Sequence, residues 1–254
     1  MLIAAEIPAS TTSSLLGRTS PLVKLAVALA WLGGLATTTA VEPAAALAGV
    51  AVVTTLALGG VRPRRMLVGL GPLLVAATGI ALTNLLFSGS NTDPAALELT
   101  RIGPLRVTAP ALAAAGGIFA RVLAIVAVGG SFALTTEPTH LVDALVQQAR
   151  VSPRFGYATL AAYQAVPRLA SDLATLVGAR RLRGLSPAWH PRVLVGLLVR
   201  AIRHADQLAV ALDARGLGSG PRTAYRPVRW GWRDLAVAVG GVAALAGVLA
   251  WAPN

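Results

Sequence analysis

The sequence predicts an all-α integral membrane protein, with about five transmembrane helices and cytoplasmic amphipathic helices between the fourth and last spans. Three observations predict it. Of 254 residues, 55% are hydrophobic and only 13% charged, with a mean hydropathy of +0.68; a soluble domain carries about 25% charged residues. The apolar residues gather in five runs, against the roughly 17–25 helical residues that cross a core of about 30 Å. The positive charge is concentrated: between Arg150 and Arg233, 14 Arg stand against 3 Asp (Asp172, Asp206 and Asp213).

The runs follow in order. Leu22–Ala36 is short for a span and borrows flanking residues. Thr37 to Thr39 and Glu42-Pro43 break it from Ala44–Val61, which ends in a basic knot of Arg62, Arg64 and Arg65 around Pro63. Met66–Phe87 is the third run. Ser88–Thr108 carries turn residues, and Leu97–Val107 alternates weakly, as a short hairpin around Gly103-Pro104 would. Ala109–Leu134 is the fourth run and Leu235–Trp251 the last.

Lys and Arg mark the cytoplasmic side of membrane proteins. Arg18 and Lys24, the Arg62–Arg65 knot and the 150–233 block therefore belong inside, and the loops at 37–43 and 88–108 outside. The organisation is a single membrane domain over 1–254: a cytoplasmic tail at 1–21, four spans in 22–134, a cytoplasmic helical region at 135–233 and a last span at 234–252. The expected location is the cell membrane, multi-pass, with the N-terminus and the 135–233 region cytoplasmic. The same rule accounts for the net charge of +12. The charges sit between apolar runs without interleaved aromatics, so the partner is the lipid bilayer and not nucleic acid.

The cytoplasmic block reads as amphipathic helices. In Arg192–Gly216, Leu194, Leu197, Leu198, Ala201, Ile202, Ala205, Leu208, Ala209 and Leu212 recur at intervals of three and four and form one stripe. Arg200, Arg203, Asp206, Gln207 and Asp213 take the other face. Gly216 suits the left-handed position after a helix end, and Arg215 before it suits the negative pole of the helix. An earlier helix, started by Pro167 and apolar at Leu169, Leu173, Leu176 and Val177, also closes on Arg183-Gly184. A shorter helix spans His140–Arg150, apolar at Leu141, Leu145 and Val146, with Thr139 placed to cap it. Two helices thus present a guanidinium at their ends, 32 residues apart (215 minus 183). Arg-Gly is an ordinary helix stop, but a pair of exposed guanidinium tips suits grooves lined with carboxylates and carbonyls.

On these residues the sequence resembles the T components of energy-coupling-factor transporters. Ser20-Pro21 with Lys24 resembles the Asp-Pro-Arg-x-Lys approach to the family's first span, with the first position and the arginine changed. Thr135-Thr136-Glu137-Pro138, followed by Leu141 and Ala144-Leu145, resembles its Thr-Thr-x-Pro segment. Ala205-Asp206, Ala211 to Gly216, Arg222-Thr223 and Tyr225-Arg226-Pro227 match best. The family signature is a pair of Ala-Arg-Gly motifs. Ala214-Arg215-Gly216 is intact, while Leu182 replaces alanine in Leu182-Arg183-Gly184. The resemblance implies that Arg183, Gly184, Ala214, Arg215 and Gly216 dock onto two ABC ATPase subunits, one per tip. The apolar stripe from Leu194 to Leu212 would then pack against the other coupling helix or a substrate-binding membrane S component. Nucleotide-driven closure would move the tips and drive uptake of a vitamin, such as biotin, or a transition-metal ion, such as cobalt or nickel.

Arg121 stands near the middle of the fourth run, where a charge costs at least about 2.5–3.5 kcal/mol. It must face protein or reach an interface, with Asn84 as a possible polar partner. The pairs Gly129-Gly130 and Gly240-Gly241 are candidate contact or hinge points.

No catalytic constellation is found. There is no cysteine, so disulfides and thiolate chemistry are excluded. There is no P-loop lysine motif. His140, His190 and His204 lack paired metal spacing. No cofactor and no metal site is expected, and ATP hydrolysis would belong to partner chains. The competing readings are an integral membrane enzyme, which needs clustered His, Asp or Glu, and an independent secondary transporter, which usually shows internal repeats and intramembrane ionisable groups.

Overall fold

The computed structural model describes residues 14–38, 40–93, 95–102, 105–185, 190–217, 220, 224 and 226–251. Two compact units emerge, Pro138–Val228 in one and Ile7–Glu137 with Arg229–Asn254 in the other. The second unit holds α1 (Pro21–Thr37), α2 (Val41–Ala57), α3 (Pro63–Leu86), a hairpin of β1 (Glu98–Ile102) and β2 (Leu105–Thr108), α4 (Ala109–Thr135) and α8 (Trp232–Trp251). The first holds α5 (Pro138–Gln147), α6 (Pro153–Leu182) and α7 (Pro191–Ala214). The expectation of an all-α membrane protein holds, with one antiparallel hairpin added where alternation placed it; its Gly103-Pro104 turn lies outside the described residues.

Prolines open several helices. Pro21 and Pro63 stand at the first helical position of α1 and α3, where the missing N–H has no helical partner to lose. α2 begins at Val41, inside the expected loop, and puts Glu42 in its first turn, where a carboxylate favours the positive pole. Helices α3, α4 and α8 are long and apolar enough to cross a membrane, while α1 and α2 are apolar but only 17 residues each, close to the lower limit for a span. Only 6% of the most apolar stretch of α8 is buried, and Val68, Val75 and Val239 are also exposed. Such faces require an apolar solvent, which a bilayer supplies.

The core is built from small side chains. Ala44, Ala48, Ala51 and Thr55 form a buried line on α2. Ala120, Ala124, Ala127 and Ser131 form a matching line on α4 at the same four-three-four spacing, and its three alanines are buried. Both alanine sets join one core cluster with Leu47, Trp31 and Leu35. Thr55 and Ser131 are hydrogen bonded across the seam. Small residues let helix backbones approach closely, which is the main route to helix adhesion in lipid. One glycine of each flagged pair is a contact. A Cβ on Gly130 would stand 2.5 Å from Leu70, and one on Gly241 2.5 Å from Val27, whereas Gly129 and Gly240 face open space.

Polar groups in this unit secure helix ends. Asp234 accepts from the Ser20 N–H at 2.5 Å and the Gly231 N–H at 2.8 Å, so one carboxylate caps both α1 and α8. These two helices therefore start at the same end of the unit and run parallel. Lys24 Nζ donates to the Thr135 carbonyl at 2.8 Å, bringing the C-terminus of α4 to that end as well. Asn91 donates to the Leu85 carbonyl at 2.8 Å and accepts from the Thr108 N–H at 3.1 Å, joining the end of α3 to the start of α4. Across the hairpin, Arg106 pairs with Glu98 at 2.9 Å.

Three expectations need correction. Arg121 does not meet Asn84, whose amide bonds back to the Ile80 carbonyl. Its guanidinium donates to the Thr38 carbonyl at the C-cap of α1, where a cation meets the negative helix pole. Pro167 does not start a helix. Pro153 does, and Pro167 lies inside α6, removing one backbone hydrogen bond of that helix. Thr139 lies within the first turn of α5, which opens at Pro138, rather than ahead of it.

Candidate functional site

The unit Pro138–Val228 is organised around one helix pair. Helix α5 packs on the start of α6 at buried Gly156, where a Cβ would meet Val146 at 2.7 Å. Tyr157 Oη donates to Asp143 at 3.1 Å beside it. Further along, Leu176 of α6 lies next to Gly196 of α7, and Asp172 pairs with Arg200 at 3.2 Å. The partners run in opposite order, so α6 and α7 are antiparallel. The C-terminal end of α6 therefore lies at the start of α7, and the C-terminal end of α7 points the other way. At 1.5 Å per residue the 24 residues of α7 separate the two ends by roughly 36 Å.

Those ends carry Arg183-Gly184 and Arg215-Gly216, and their backbones superpose in kind. Arg183 has φ −85°, ψ 7° and Arg215 φ −84°, ψ 7°. Gly184 and Gly216 follow at φ +68° and +69°, a left-handed conformation that costs any other L-residue about 1–2 kcal/mol. The Leu185 N–H donates to the Arg180 carbonyl at 3.1 Å and the Gly184 N–H to that of Arg181 at 3.0 Å. At the other end, the Leu217 N–H donates to the Leu212 carbonyl at 3.0 Å and the Gly216 N–H to that of Asp213 at 2.8 Å. Both are Schellman closures, which satisfy the last helical carbonyls and stop the helix sharply. Arg183 and Arg215 occupy the same position in each and are exposed. Leu182, which stands where the other end has Ala214, is 92% exposed, so its bulk is carried on the surface and not in the fold.

The α7 stripe divides in two. Leu197, Ala201, Leu208 and Leu212 are half-buried with Val193, which is buried. Leu194, Leu198, Ile202 and Ala205 are exposed, as are Val195, Val199 and Val210. A seam faces the unit and a broad apolar flank remains open. Arg121 lies in the other unit, on the Thr38 carbonyl. Sequence reasoning missed Gln147, whose amide donates to the Arg226 carbonyl at 2.9 Å and accepts from the Val228 N–H at 2.9 Å. That clamp fixes the chain after the second Arg-Gly end to the end of α5. Arg222, Thr223 and Tyr225 lie outside the described residues. Among the described residues no group of three His, Cys, Asp or Glu is placed to hold a metal ion.

Comparison with known proteins supplies the context. The family model CbiQ, described as a cobalt transport protein, matches residues 13–225. An energy-coupling factor transporter transmembrane protein EcfT of Listeria innocua is 28% identical over 173 residues, 60% of this chain and 64% of that protein. The EcfT of Heliobacterium modesticaldum is 28% identical over 212 residues, 76% of this chain and 77% of its own length. A Bifidobacterium longum protein, whose name assigns it provisionally to ABC-transporter ATP binding, is 27% identical over 93% of this chain and 32% of its own. The chain thus spans less than two thirds of the Listeria and Bifidobacterium proteins.

Proposed function

The chain belongs to the CbiQ cobalt transport protein family, and on that premise we propose that it is the membrane coupling subunit of an energy-coupling-factor ABC importer. It joins two ATPase subunits to a substrate-binding S component and hydrolyses no ATP itself. The single observation that carries this reading is the pair of congruent Arg-Gly closures at opposite ends of an antiparallel helix pair. One socket type, repeated on two ATPases, can grip both. An arginine in a charge-assisted contact contributes about 1.5–3 kcal/mol, and the stiff helices between the ends carry displacement as rigid bodies.

The arginine bias supports a cytoplasmic placement of the two tips, with the protein in the cell membrane. The open flank of α7, from Leu194 to Ile202, gives the S component an apolar track. The Bifidobacterium relative supports the association with ATPases, since a stretch like this chain makes up 32% of a protein named for ATP binding. The cargo is a vitamin or a transition-metal ion. Carriage of the ion falls to the S component.

The test is co-purification of the tagged full chain with its ATPases, followed by ATP-dependent uptake in proteoliposomes. Wild type should retain two ATPase copies per chain. Arg215→Ala should lose one, and Arg183→Ala with Arg215→Ala should lose both together with uptake. Uptake that persists without ATPases would contradict the proposal and favour a secondary carrier.

A further inference from the structure

We propose that the membrane-spanning unit carries a binding site for one acyl chain of an anionic phospholipid, whose headgroup is held at Arg233. A cavity of about 380 Å³ lies among α1, α2, α4 and α8, within the range of about 300–1,000 Å³ typical of ligand pockets. Its walls are almost wholly apolar. Its ends are not alike.

At one end stand Thr19 before α1, Leu58 after α2, Thr135 closing α4, and Trp232 and Arg233 opening α8. All four helices place a terminus there, so this end lies at a membrane interface. At the other end stand Trp31 and Ala244. Trp31 lies ten residues along α1 from Pro21, roughly 15 Å, and Ala244 twelve residues along α8 from Trp232, roughly 18 Å. Half of a hydrocarbon core of about 30 Å is about 15 Å. The cavity is as deep as one leaflet. Trp31 Nε1 donates to the Gly241 carbonyl at 2.8 Å, so the deep end offers a ligand no free indole donor.

The mouth carries the charge. Lys24 lines the cavity, but its ammonium is held by the Thr135 carbonyl. Arg233 stacks over the Trp232 ring, 5.7 Å from its centroid, and no carboxylate lies within ion-pair distance of it among the described residues. A guanidinium beside an interfacial tryptophan, above an apolar shaft one leaflet deep, fits a phosphate headgroup with its chain below.

Native mass spectrometry of the detergent-solubilised full chain, titrated with phosphatidylglycerol and with phosphatidylcholine, tests the site. Wild type should bind one lipid, with about a fivefold preference for the anionic one, the factor that a single cation near an anionic surface supplies. Gly240 lines the cavity and a Cβ there meets nothing within 4 Å, so Gly240→Leu should fill the shaft and abolish binding. Ala236→Leu does the same one turn earlier and serves if Gly240→Leu does not fold. Gly247→Leu, on the same helix with open space around it and outside the lining, should bind as wild type. Arg233→Gln should still bind a lipid but lose the preference. No lipid on wild type, undiminished binding by both shaft-filling variants, or an anionic preference that survives Arg233→Gln would each overturn the proposal.

Discussion

The two units treat charge in different ways. In the spanning unit, Asp234, Lys24 and Arg121 each bond backbone at a helix terminus: Ser20 and Gly231, Thr135, and Thr38. Their role there is to hold helices in place where hydrogen-bonding water is scarce. In the Pro138–Val228 unit, Arg183 and Arg215 cap sharply closed helices yet stand exposed, and the apolar flank of α7 is open beside them. A side chain that secures its own fold is buried or bonded inward. The arginines proposed to meet a partner instead stand at helix ends fixed by their backbone and are exposed.

Substitutions of the inward-bonded and closely packed residues should therefore act on stability, and those of Arg183 and Arg215 on assembly. The largest stability effect is expected at Asp234. Asp234→Ala removes two charged hydrogen bonds and the caps of two helices, at about 3 kcal/mol, seen as a large fall in melting temperature in detergent. Next, Gly241→Ala should destabilise by about 1–3 kcal/mol through overpacking against the β-branched Val27, and Gly130→Ala by less, because only the flexible end of Leu70 must shift, while Gly240→Ala and Gly129→Ala should be neutral or gain up to about 1 kcal/mol of helix propensity. A thermal-shift series over these four variants checks the pairing. Gly184→Ala and Gly216→Ala should each cost about 1 kcal/mol of local helix-end stability, read as faster amide exchange at Leu185 and Leu217 with the melting temperature little changed. The smallest effect is expected at the exposed Arg200–Asp172 pair, where Arg200→Ala should cost less than about 1 kcal/mol.

Much of this was legible because it is local. Five apolar runs give α1 to α4 and α8, since a span must be continuous. The Arg-Gly endings read as helix stops because glycine alone accepts φ near +68° without strain. Weak alternation gave the hairpin. The misreadings share a cause. Pro167 looks like a first-turn proline by local rules, but Pro153 already starts α6 and the helix runs through it. Arg121 finds Thr38, 83 residues away, and Gln147 finds Arg226 and Val228, about 80 away. No periodicity carries such pairings. The division of the α7 stripe into a seam and an open flank was likewise hidden, because spacing shows which residues share a face and not what covers them.

The central claim is that two matched guanidinium ends grip two ATPases at once. The chain has no cysteine, so Leu182→Cys with Ala214→Cys places one thiol beside each arginine and nowhere else. Treating the assembled transporter with a short bifunctional crosslinker and counting ATPases per chain is the direct measurement. Product with two ATPases on one chain, reduced to one in either single-cysteine variant, is the expected result. Absence of any ATPase adduct at both positions in an assembly that still transports would contradict the account.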